Sequence, residues 1–415
     1  MQVGIMGMGY VGLPLAVAFA EAGHPVIGYD VDIGRISELA SGSSAVEDVA
    51  DERLAALGHR FTPVSDIAEL AGCEAIAICV PTPLANQREP DLTHLEAAAR
   101  ALAPILHRGQ LIVLESTTYP GTTRDQLRPI LEQSGLAAGV DFNLAFSPER
   151  IDPGRTDHTL RTTPKVVGGL TPACLLRASL LYAEICDEVV EVSSPEAAEL
   201  TKLLENIFRS VNIAMVNELA QLCHLMGIDI WEVVDAAATK PYGFMRFDPG
   251  PGMGGHCLPV DPFYLAFKAR DFGFYTEFIE LAGKLNQAQP GWCVRRCELA
   301  LNDVSMPVRG STVLILGVSY KAGVGDMRES PAVKIIEGLQ SLGAEVSFHD
   351  PHVAELPELG LESVDLAPAV AAADLVCVVT AHDGIDYDDL VARAARVLDF
   401  RGITHGTDAR NLAWL

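Results

Sequence analysis

The first thirty residues contain the pattern that most restricts the fold of this chain. A short apolar segment over residues 2–6 runs directly into Gly-Met-Gly-Tyr-Val-Gly, residues 7–12, and the apolar spacing predicts a helix over residues 13–22. A second strand is predicted over residues 25–29, and Asp30 follows it. A strand, a glycine turn, a helix, a second strand and an acid in this order are the fingerprint of a dinucleotide-binding βαβ unit.

In such a unit, the pyrophosphate of the dinucleotide binds at the helix N-terminus, where unpaired N–H groups and the helix dipole favour negative charge. The residues expected at the cofactor from this motif are Gly7, Gly9, Tyr10, Val11, Gly12 and Asp30. Asp30 is expected to accept a hydrogen bond from the adenosine ribose, and its charge would repel a 2′-phosphate, so the pattern predicts NAD and not NADP. A purely structural glycine turn is the alternative interpretation.

Polar residues follow further predicted strands of the same unit. Residues 75–80 lead into Thr82, residues 110–115 lead into Thr117, and a third strand leads into Glu149. The carboxyl ends of strands line the ligand crevice of an open parallel sheet, so Thr82 and Thr117 are expected to meet the cofactor. The alternatives are ordinary turn hydroxyls for the two threonines and a solvated loop carboxylate for Glu149.

A long amphipathic helix is predicted over residues 194–226. Its apolar residues recur at helical spacing over a broad stripe, which predicts a homodimer interface along this helix. Lys202 and Asn206 lie four residues apart and therefore share one face of it. A charge on a helix is usually solvated, so position alone does not single out Lys202. The helical period returns over residues 263–303.

A second α/β unit is predicted from residue 309 onward. Its strands are expected at residues 312–317, 345–348, 374–380 and 395–399, with a helix from Ser330 to Gly343. The unit lacks a full glycine fingerprint and has Lys321 and Arg328 between its first strand and that helix. Two cations at the end of a strand and the start of a helix can bind a diphosphate, so this unit is predicted to bind a nucleotide.

Residues 250–262, Gly-Pro-Gly-Met-Gly-Gly-His-Cys-Leu-Pro-Val-Asp-Pro, form a loop that fixes Cys257, because glycine and proline exclude a regular helix or a central strand here. Gly254 and Gly255 allow backbone N–H groups to approach a bound anion closely. Asp261 supplies a carboxylate that can handle a proton. From the residues alone, the thiol is a candidate nucleophile, metal ligand or small buried hydrophobe.

Charge and composition exclude several classes of partner. With 30 basic and 55 acidic residues the formal charge is −25, whereas nucleic acids and anionic membranes require a basic surface. No apolar run reaches the roughly 18 residues of a membrane span. Nine cysteines without a framework spacing indicate a reducing cytoplasm, and a strand that begins at Met1 leaves no room for a signal peptide. Cys293 and Cys297 have no partner at a zinc-like spacing, so no metal is predicted.

Taken together, these motifs resemble those of the UDP-glucose/GDP-mannose dehydrogenase family along essentially the whole chain. The resemblance is carried by residues 7–12 with Asp30 and Arg35, by residues 115–122, 147–150, 201–206 and 254–257, and by residues 317–331. It implies an α/β fold with two Rossmann-like doubly wound domains joined by a long central helix. It also implies that C6 of a nucleotide sugar is oxidised twice, from alcohol to uronic acid, with two NAD⁺ and one active-site cysteine.

The same resemblance implies three domains. Residues 1–192 are expected to form an N-terminal NAD-binding Rossmann domain, and residues 193–306 a central helical dimerisation domain with the cysteine loop. Residues 307–415 are expected to form a C-terminal Rossmann-like domain that binds the UDP-sugar.

Carried over by position, the resemblance implies roles for individual residues. Cys257 resembles the covalent nucleophile, and Lys202 and Asn206 resemble the oxyanion stabilisers. Asp261 resembles the partner of a proton-transfer water, Glu149 the acid/base for a thioester, and Thr117 a hydroxyl on the cofactor and water side. Further cofactor contacts are implied at Thr82, Arg35 and Arg328, and substrate contacts at Glu149, Arg150, Lys202, Asn206, Arg246, Gly254, Gly255 and Lys321.

The substrate branch is indicated by departures from the UDP-glucose dehydrogenases. Those enzymes commonly have a second glutamate four residues after the one that Glu149 resembles, but here Pro153 stands there, beside Asp152. The cysteine loop and residues 147–169 look more like the bacterial UDP-N-acetylglucosamine 6-dehydrogenases. UDP-N-acetylglucosamine is therefore the predicted substrate, with UDP-glucose and UDP-N-acetylmannosamine as alternatives. A catalytically silent nucleotide-sugar sensor is the alternative from another functional class.

The first prediction concerns cofactor choice. We expect a strong preference for NAD⁺ over NADP⁺, and we expect Asp30→Ala to narrow it, because the acid that repels the 2′-phosphate is lost. Steady-state kinetics with both cofactors measure the preference as a ratio of kcat/KM. Equal kcat/KM for the two cofactors in the unmodified enzyme would contradict the prediction.

Overall fold

The computed structural model describes residues 1–44, 46, 49–84, 89–151, 158–255 and 261–415. The chain divides into two compact units. The first consists of Met1–Glu205 with Phe263–Tyr275, and the second of Asn206–Pro262 with Thr276–Leu415. Each unit contains a largely parallel sheet with helices, so the predicted α/β fold class is confirmed. The two borders between the three domains expected from the sequence remain predictions.

The first unit is built on an eight-stranded sheet, counted over the described residues, in the order β3-β2-β1-β4-β5-β6-β7-β8. Its strands are β1 Val3–Met6, β2 Val26–Tyr29, β3 Phe61–Val64, β4 Ala75–Ile78, β5 Leu111–Leu114, β6 Asn143–Phe146, β7 Lys165–Gly169 and β8 Val189–Val192. Its helices are α1 Gly12–Glu21, α2 Ile33–Ala40, α3 Asp51–Ala56, α4 Thr93–Leu102, α5 Arg128–Leu131 and α6 Pro172–Tyr182. A π-helical segment, Thr122–Leu127, precedes α5.

The neighbouring strands of this sheet run parallel, with one exception among the described pairs. β6 and β7 are antiparallel, with Ala145 opposite Gly169 and Phe146 opposite Gly168. The central strands β1, β4 and β5 are apolar and fully buried. This composition is typical of a parallel sheet that is covered on both faces by helices.

The glycine turn after β1 has the predicted context. Gly7 has a φ of 95°, and a Cβ atom there would lie 2.6 Å from the carbonyl oxygen of Cys79. A Cβ atom on Gly12, the first residue of α1, would lie 1.8 Å from the carbonyl oxygen of Gly7. Both positions therefore exclude every side chain.

The second unit contains a five-stranded sheet, again counted over the described residues, in the order β10-β9-β13-β14-β15. The strands of this sheet are β9 Thr312–Leu316, β10 Glu345–His349, β13 Leu375–Val378, β14 Val397–Asp399 and β15 Leu412–Trp414. Two short strands, β11 Glu355–Leu356 and β12 Leu361–Glu362, form a separate antiparallel pair. The helices that lie wholly in this unit are α8 Ile230–Ala238, α10 Glu277–Asn302, α11 Pro331–Ser341, α12 Leu366–Ala372 and α13 Tyr387–Arg393. Two further helices contain residues of both units: α7 Pro195–Met226 and α9 Asp261–Arg270.

The second unit repeats the turn of the first without its full glycine motif. Gly317 follows β9 with a φ of 81°, and a Cβ atom there would lie 2.1 Å from the carbonyl oxygen of Thr380. The N–H of Val318 then donates to Asp350 Oδ2 at 2.7 Å. In the first unit, the N–H of Met8 donates to Asp30 Oδ2 at the same distance of 2.7 Å.

The helical period over residues 263–303 corresponds to two helices in the structure. The chain forms α9 and α10, and the break lies at Gly273, which has a φ of 66°. The N–H of Phe274 donates to the carbonyl of Ala269 at 3.1 Å, as in a glycine-terminated helix end. The apolar period of the sequence continues across this turn and therefore conceals it.

The long helix α7 begins one residue after the predicted Ser194, whose Oγ accepts a hydrogen bond from the N–H of Ala197. The predicted apolar stripe divides into two. Leu203, Ile207 and Ala214 are buried within the chain. The exposed large apolar residues of α7 are Leu200, Leu204, Phe208, Met215, Leu219, Leu222, Leu225 and Met226. None of the helices within the described residues combines the length and apolar character required to span a bilayer.

Candidate active site

Asp30 connects the end of β2 to the glycine turn. Its Oδ2 accepts hydrogen bonds from the N–H of Met8 at 2.7 Å and from Arg35 Nη1 at 3.1 Å, and its Oδ1 accepts from the N–H of Asp32 at 2.9 Å. A Cβ atom on Gly9 would meet no atom of the described residues within 4 Å, so the turn is open on its outer side. Tyr10 is exposed beside it, and Val11 precedes α1. An open turn at a helix N-terminus fits the pyrophosphate of a dinucleotide.

The two threonine loops predicted at the cofactor are neighbours. Thr82 Oγ1 donates to the carbonyl of Thr117 at 2.7 Å, so the loops after β4 and β5 are joined. Tyr264 of α9 donates its hydroxyl to the carbonyl of Thr82 at 2.5 Å. The structure therefore brings together two residues that the sequence placed on separate loops.

A buried group of charges lies at the carboxyl ends of β5 and β6. Lys165 Nζ lies 2.8 Å from Glu115 Oε2 and 3.3 Å from Glu149 Oε2. The hydroxyl of Tyr182 donates to Glu115 Oε1. The N–H groups of Arg150 and Ile151 both donate to Glu149 Oε1 at 2.7 Å.

The charge states of this group follow from its contacts. Burial alone would raise the pKa of Glu149, but the Lys165 ammonium, the N–H of Ile151 and the Lys202 ammonium outweigh burial and lower that pKa. Burial raises the pKa of Glu115, against the attraction of Lys165. Burial would lower the pKa of Lys165, but the two carboxylates raise it overall. Glu149 is therefore held as a carboxylate near neutral pH, and it is not the solvated loop residue of the alternative interpretation.

Arg150, a predicted substrate contact, forms an ion pair and a hydrogen bond with residues of the first unit. Its guanidinium lies 2.6 Å from Glu205 Oε1 on α7, and its Nη1 donates to the carbonyl of Pro164 at 2.6 Å. These contacts link α7 to the segment that leads into β7. Arg150 thereby helps to fix the backbone that precedes Lys165.

The predicted pair of polar residues in the second unit is joined directly. Asn206 Nδ2 donates to Asp261 Oδ2 at 2.5 Å, and both residues are buried. Asn206 lies one helical turn beyond Lys202 on α7, and Asp261 is the first residue of α9. The amide therefore fixes the carboxylate at the end of the cysteine loop.

The start of the same loop is held by amide side chains of two helices. The N–H of Gly250 donates to Asn217 Oδ1 of α7 at 2.9 Å, and Gln289 Nε2 of α10 donates to the carbonyl of Gly250 at 3.0 Å. Gln221 Nε2 donates to Gln289 Oε1 at 2.8 Å. Both backbone groups of Gly250 are thus satisfied by side chains in a buried position.

Gly254 and Gly255 pack against the segment with the two predicted ligand-binding cations. The N–H of Gly255 donates to the carbonyl of Arg328 at 2.9 Å, and a Cβ atom on Gly254 would lie 2.7 Å from Tyr320 Cβ. Lys321 Nζ lies 5.7 Å from the ring centroid of Tyr320. The structure therefore gathers Gly254, Gly255, Lys321 and Arg328 in one region of the second unit.

Arg246 is a predicted substrate contact that the structure does not bring to these groups. Arg246 is exposed and pairs with Asp235 at 2.6 Å and Asp248 at 2.8 Å. Cys257 and the substituted position Pro153 lie outside the described residues. The eight cysteines within the described residues are free and buried, and Cys297 Sγ lies 3.5 Å from Cys377 Sγ.

Lys165 and Glu115 are the members of the charged group for which sequence reasoning predicted no role. Lys165 opens the segment Lys-Val-Val-Gly-Gly, whose other residues are all buried and uncharged. A single cation at the start of a strand that is buried throughout is the signal that would have identified it, because buried charges require partners. Its partner Glu115 lies 50 residues earlier, so no local pattern connects the two.

Models of three protein-family domains match the chain in order. The NAD binding domain of the UDP-glucose/GDP-mannose dehydrogenase family matches residues 1–186, its central domain matches residues 196–288, and its UDP binding domain matches residues 314–406. The prediction of NAD as the cofactor is confirmed by the first of these matches.

Individual relatives match over most of their length. UDP-N-acetyl-D-glucosamine 6-dehydrogenase of Pseudomonas aeruginosa is 37% identical over 388 residues, which cover 92% of this chain and 90% of the relative. UDP-N-acetyl-D-mannosamine dehydrogenase of Pyrococcus horikoshii is 36% identical over 386 residues, with coverage of 92% and 90%. A solved structure of UDP-D-ManNAc dehydrogenase from Pyrococcus horikoshii matches with a TM-score of 0.91 at 32% identity and covers 100% of this chain and 98% of that one.

The hydrogen bonds at Gly250 generate a prediction about stability. Asn217→Leu leaves the buried N–H of Gly250 without its acceptor, so we expect the free energy of unfolding to fall by about 1–3 kcal/mol. Asn212→Leu is the matched control on the same helix, because the Asn212 amide donates to the carbonyl of Phe208 one turn earlier, near solvent. We expect the control to change stability by less than about 0.5 kcal/mol. Urea unfolding measures both, and equal losses would show that the Gly250 contact contributes nothing.

Proposed function

Because the chain belongs to the UDP-glucose/GDP-mannose dehydrogenase family, we propose that it oxidises C6 of UDP-N-acetylglucosamine twice and yields UDP-N-acetylglucosaminuronate. The chain is an NAD-dependent oxidoreductase, and NAD⁺ held at the glycine turn and Asp30 would supply the hydride acceptor for each oxidation. The observation that carries the proposal is the buried hydrogen bond between Asn206 and Asp261. It joins a proposed oxyanion stabiliser to a proposed proton-transfer group at the end of the cysteine loop.

Cys257 is the proposed nucleophile. Its thiolate adds to the aldehyde formed by the first oxidation, and the resulting thiohemiacetal retains the hydrogen that leaves in the second oxidation. The product of that step is a thioester on the cysteine. The aldehyde stays covalently bound throughout and cannot diffuse away as a free intermediate.

Lys202 and Asn206 are the proposed stabilisers of negative charge on the C6 oxygen. An ammonium and an amide N–H group on one face of a helix can oppose a developing oxyanion, and they act more strongly away from bulk water. Asp261, fixed by Asn206, is the proposed partner of the water that takes the proton in the first oxidation.

Glu149 is the proposed base for thioester hydrolysis. Its lowered pKa keeps it ionised near neutral pH, as a general base requires. Its Oε1 already accepts two backbone hydrogen bonds, whereas its Oε2 faces the Lys165 ammonium at 3.3 Å. Water activated by Glu149 attacks the thioester and releases the uronate.

The remaining predicted residues have proposed binding roles. For the cofactor these are Gly7, Gly9, Tyr10, Val11, Gly12, Asp30, Arg35, Thr82, Thr117 and Arg328, and for the UDP-sugar they are Arg150, Arg246, Gly254, Gly255 and Lys321. The proposed domains are residues 1–192 for NAD, 193–306 for dimerisation and the cysteine loop, and 307–415 for the UDP-sugar.

The proposed compartment is the cytoplasm. The eight cysteines within the described residues are free thiols, which supports a reducing compartment.

UDP-N-acetylmannosamine is the second candidate substrate. It is favoured by the relative of that activity at 36% identity, against 37% for the N-acetylglucosamine enzyme. The two sugars differ only in configuration at C2, so the oxidation at C6 is the same for both. Initial rates of NADH formation with UDP-, dTDP- and GDP-sugars decide between them.

A prediction follows for the proposed nucleophile. Wild-type enzyme is expected to form two NADH per uronate without free aldehyde. Cys257→Ser offers a much poorer nucleophile and leaving group, so turnover is expected to fall by several orders of magnitude. Intact mass of the variant is expected to show a stalled adduct, or product analysis to show slow single oxidation. Near wild-type turnover with two NADH per sugar in Cys257→Ser would show that the cysteine is structural.

The exposed apolar face of α7 supports a homodimer. Residues such as Leu204, Met215 and Leu219 remain exposed on the side of the helix opposite the chain's own core. Covering such a face with a second copy buries apolar area on both subunits at once.

We expect light scattering at micromolar concentration to give the mass of a dimer, and we expect Leu219→Asp to give a monomer because it places a charge in the interface. Leu180→Asp on α6 is the control, since Leu180 is 60% exposed and lies outside α7. A monomer mass for the wild type, or dissociation by both variants, would refute this interface.

A further inference from the structure

We infer that Lys165 is a positioning residue. Its ammonium, shared between the buried carboxylate of Glu115 and the partly buried carboxylate of Glu149, fixes Oε2 of Glu149 as the oxygen that accepts the proton of the hydrolytic water. The inference rests on the role proposed for Glu149. It concerns the hydrolysis step and leaves both hydride transfers unchanged.

The position of Lys165 follows from the direction of β7. Because β7 runs antiparallel to β6, its first residue lies at the carboxyl edge of the sheet, beside the loop that follows β6. Ser147 Oγ donates to the carbonyl of Val166 at 2.9 Å and ties this loop to the start of β7. The side chain of Lys165 is only 5% exposed, so its charge has partners in the protein and little contact with water.

The contacts of Glu149 determine which oxygen is reactive. Two backbone N–H groups occupy Oε1, each at 2.7 Å. Oε2 accepts from Lys165 at the longer distance of 3.3 Å. A carboxylate oxygen has two lone-pair sites, so Oε2 can accept one further donor. A water that donates to Oε2 is held in a direction set by the ammonium and by the two backbone bonds.

The distances also show that the Lys165 ammonium lies closer to one carboxylate than to the other. Lys165 Nζ is nearer to Glu115, at 2.8 Å, than to Glu149, at 3.3 Å. Glu115 is itself held by the hydroxyl of Tyr182, whose ring lies under the ammonium at 5.2 Å from its centroid. Glu115 therefore keeps Lys165 from forming a tight pair with Glu149. A tight ion pair with Lys165 would weaken Glu149 as a base. The absence of an ion pair would favour the protonated, neutral form of Glu149.

Among the residues that the structure describes, the other titratable groups near this cluster do not supply a substitute cation of the same kind. Lys202 of α7 also lowers the pKa of Glu149, but its effect is smaller than that of Lys165. The pKa of Cys186 is raised to about 11 by burial, and the pKa values of Cys79 and Tyr182 are raised further, so all three are neutral at pH 7. Counted with Glu115, Glu149 and Lys165 in their charged forms, the formal charge of the cluster is about −1.

In the step concerned, the water oxygen bonds to the thioester carbonyl carbon while its proton passes to Glu149 Oε2. The carbon–sulfur bond then breaks, and its electron pair returns to the Cys257 sulfur. The uronic acid and the protonated Glu149 lose their protons to solvent. No oxidant or reductant is required.

Lys165→Met tests the inference. Loss of the cation is expected to move the acid limb of the kcat–pH profile upward by about 1–3 units. Near pH 7 we expect a rapid burst of two NADH per subunit, then steady turnover about a hundredfold below wild type, because only the base-dependent step is impaired. Intact mass is expected to show an acyl adduct on Cys257 that disappears at higher pH.

Two further variants distinguish the effect of the Lys165 charge on Glu149 from an effect of Lys165 on folding. Lys165→Met with Glu115→Gln keeps the formal charge of about −1 without the cation. It is expected to show the same burst and an acid limb displaced upward by less than in Lys165→Met, because the repulsion from Glu115 is removed as well. Lys165→Arg keeps a cation that can bridge two carboxylates, and its acid limb is expected to stay within about half a unit of wild type.

The outcomes are distinguishable from a failure of the proposed function. Glu149→Gln is expected to give the same burst and acyl adduct. If it does, but the double variant has the wild-type pH profile and no burst, Lys165 is structural and the inference fails. If Glu149→Gln has neither burst nor adduct, the proposed role of Glu149 fails. A Lys165→Met variant that does not fold leaves the decision to the double variant and to Lys165→Arg.

Discussion

The reversal of strand direction between β6 and β7 is the constraint on which the charged group depends. In a fully parallel sheet, the first residue of β7 would lie at the amino edge, far from the loops that follow β5 and β6. The antiparallel pair brings Lys165 to the carboxyl edge instead, where Glu115 and Glu149 follow their strands. A buried carboxylate pair without a cation would take up a proton. Strand direction therefore decides whether a base is present at this edge.

Much of the fold could be predicted because its signals are local. The β1 turn, the start of α7 and the central strands follow from apolar period, glycine and cap residues within short windows. The break at Gly273 was missed because the helical period continues through it. The strand β15 was missed because Leu412–Trp414 has three residues, too few to show an alternation.

The site was predictable where one motif contained both chemistry and position. Asn206 and Asp261 were identified separately from their motifs, and their hydrogen bond unites them. The contacts of Lys165 and the bonds at Gly250 join residues that are far apart in sequence, so composition and spacing contain no sign of them. The loop positions were argued from an open parallel sheet, and the strands that lead into those loops, β4, β5 and β6, are parallel. The antiparallel pairing of β6 with β7 has no local signal in the sequence. The dinucleotide turn recurs at Gly317, where the side chain of Asp350 is more completely buried than that of Asp30 in the first turn. Burial alone would raise the pKa of Asp350, but hydrogen bonds from His382 and from backbone N–H groups hold that pKa at about 2.

The burial of the cysteines has a practical consequence for chemical labelling. Of the nine cysteines, the eight within the described residues are enclosed by the folded chain, and burial raises the pKa of Cys73 to about 12. A thiol reagent acts on the thiolate and needs access to it, so these eight react slowly while the protein stays folded. A single label taken up by the native enzyme is therefore assigned to Cys257 without replacing any other cysteine.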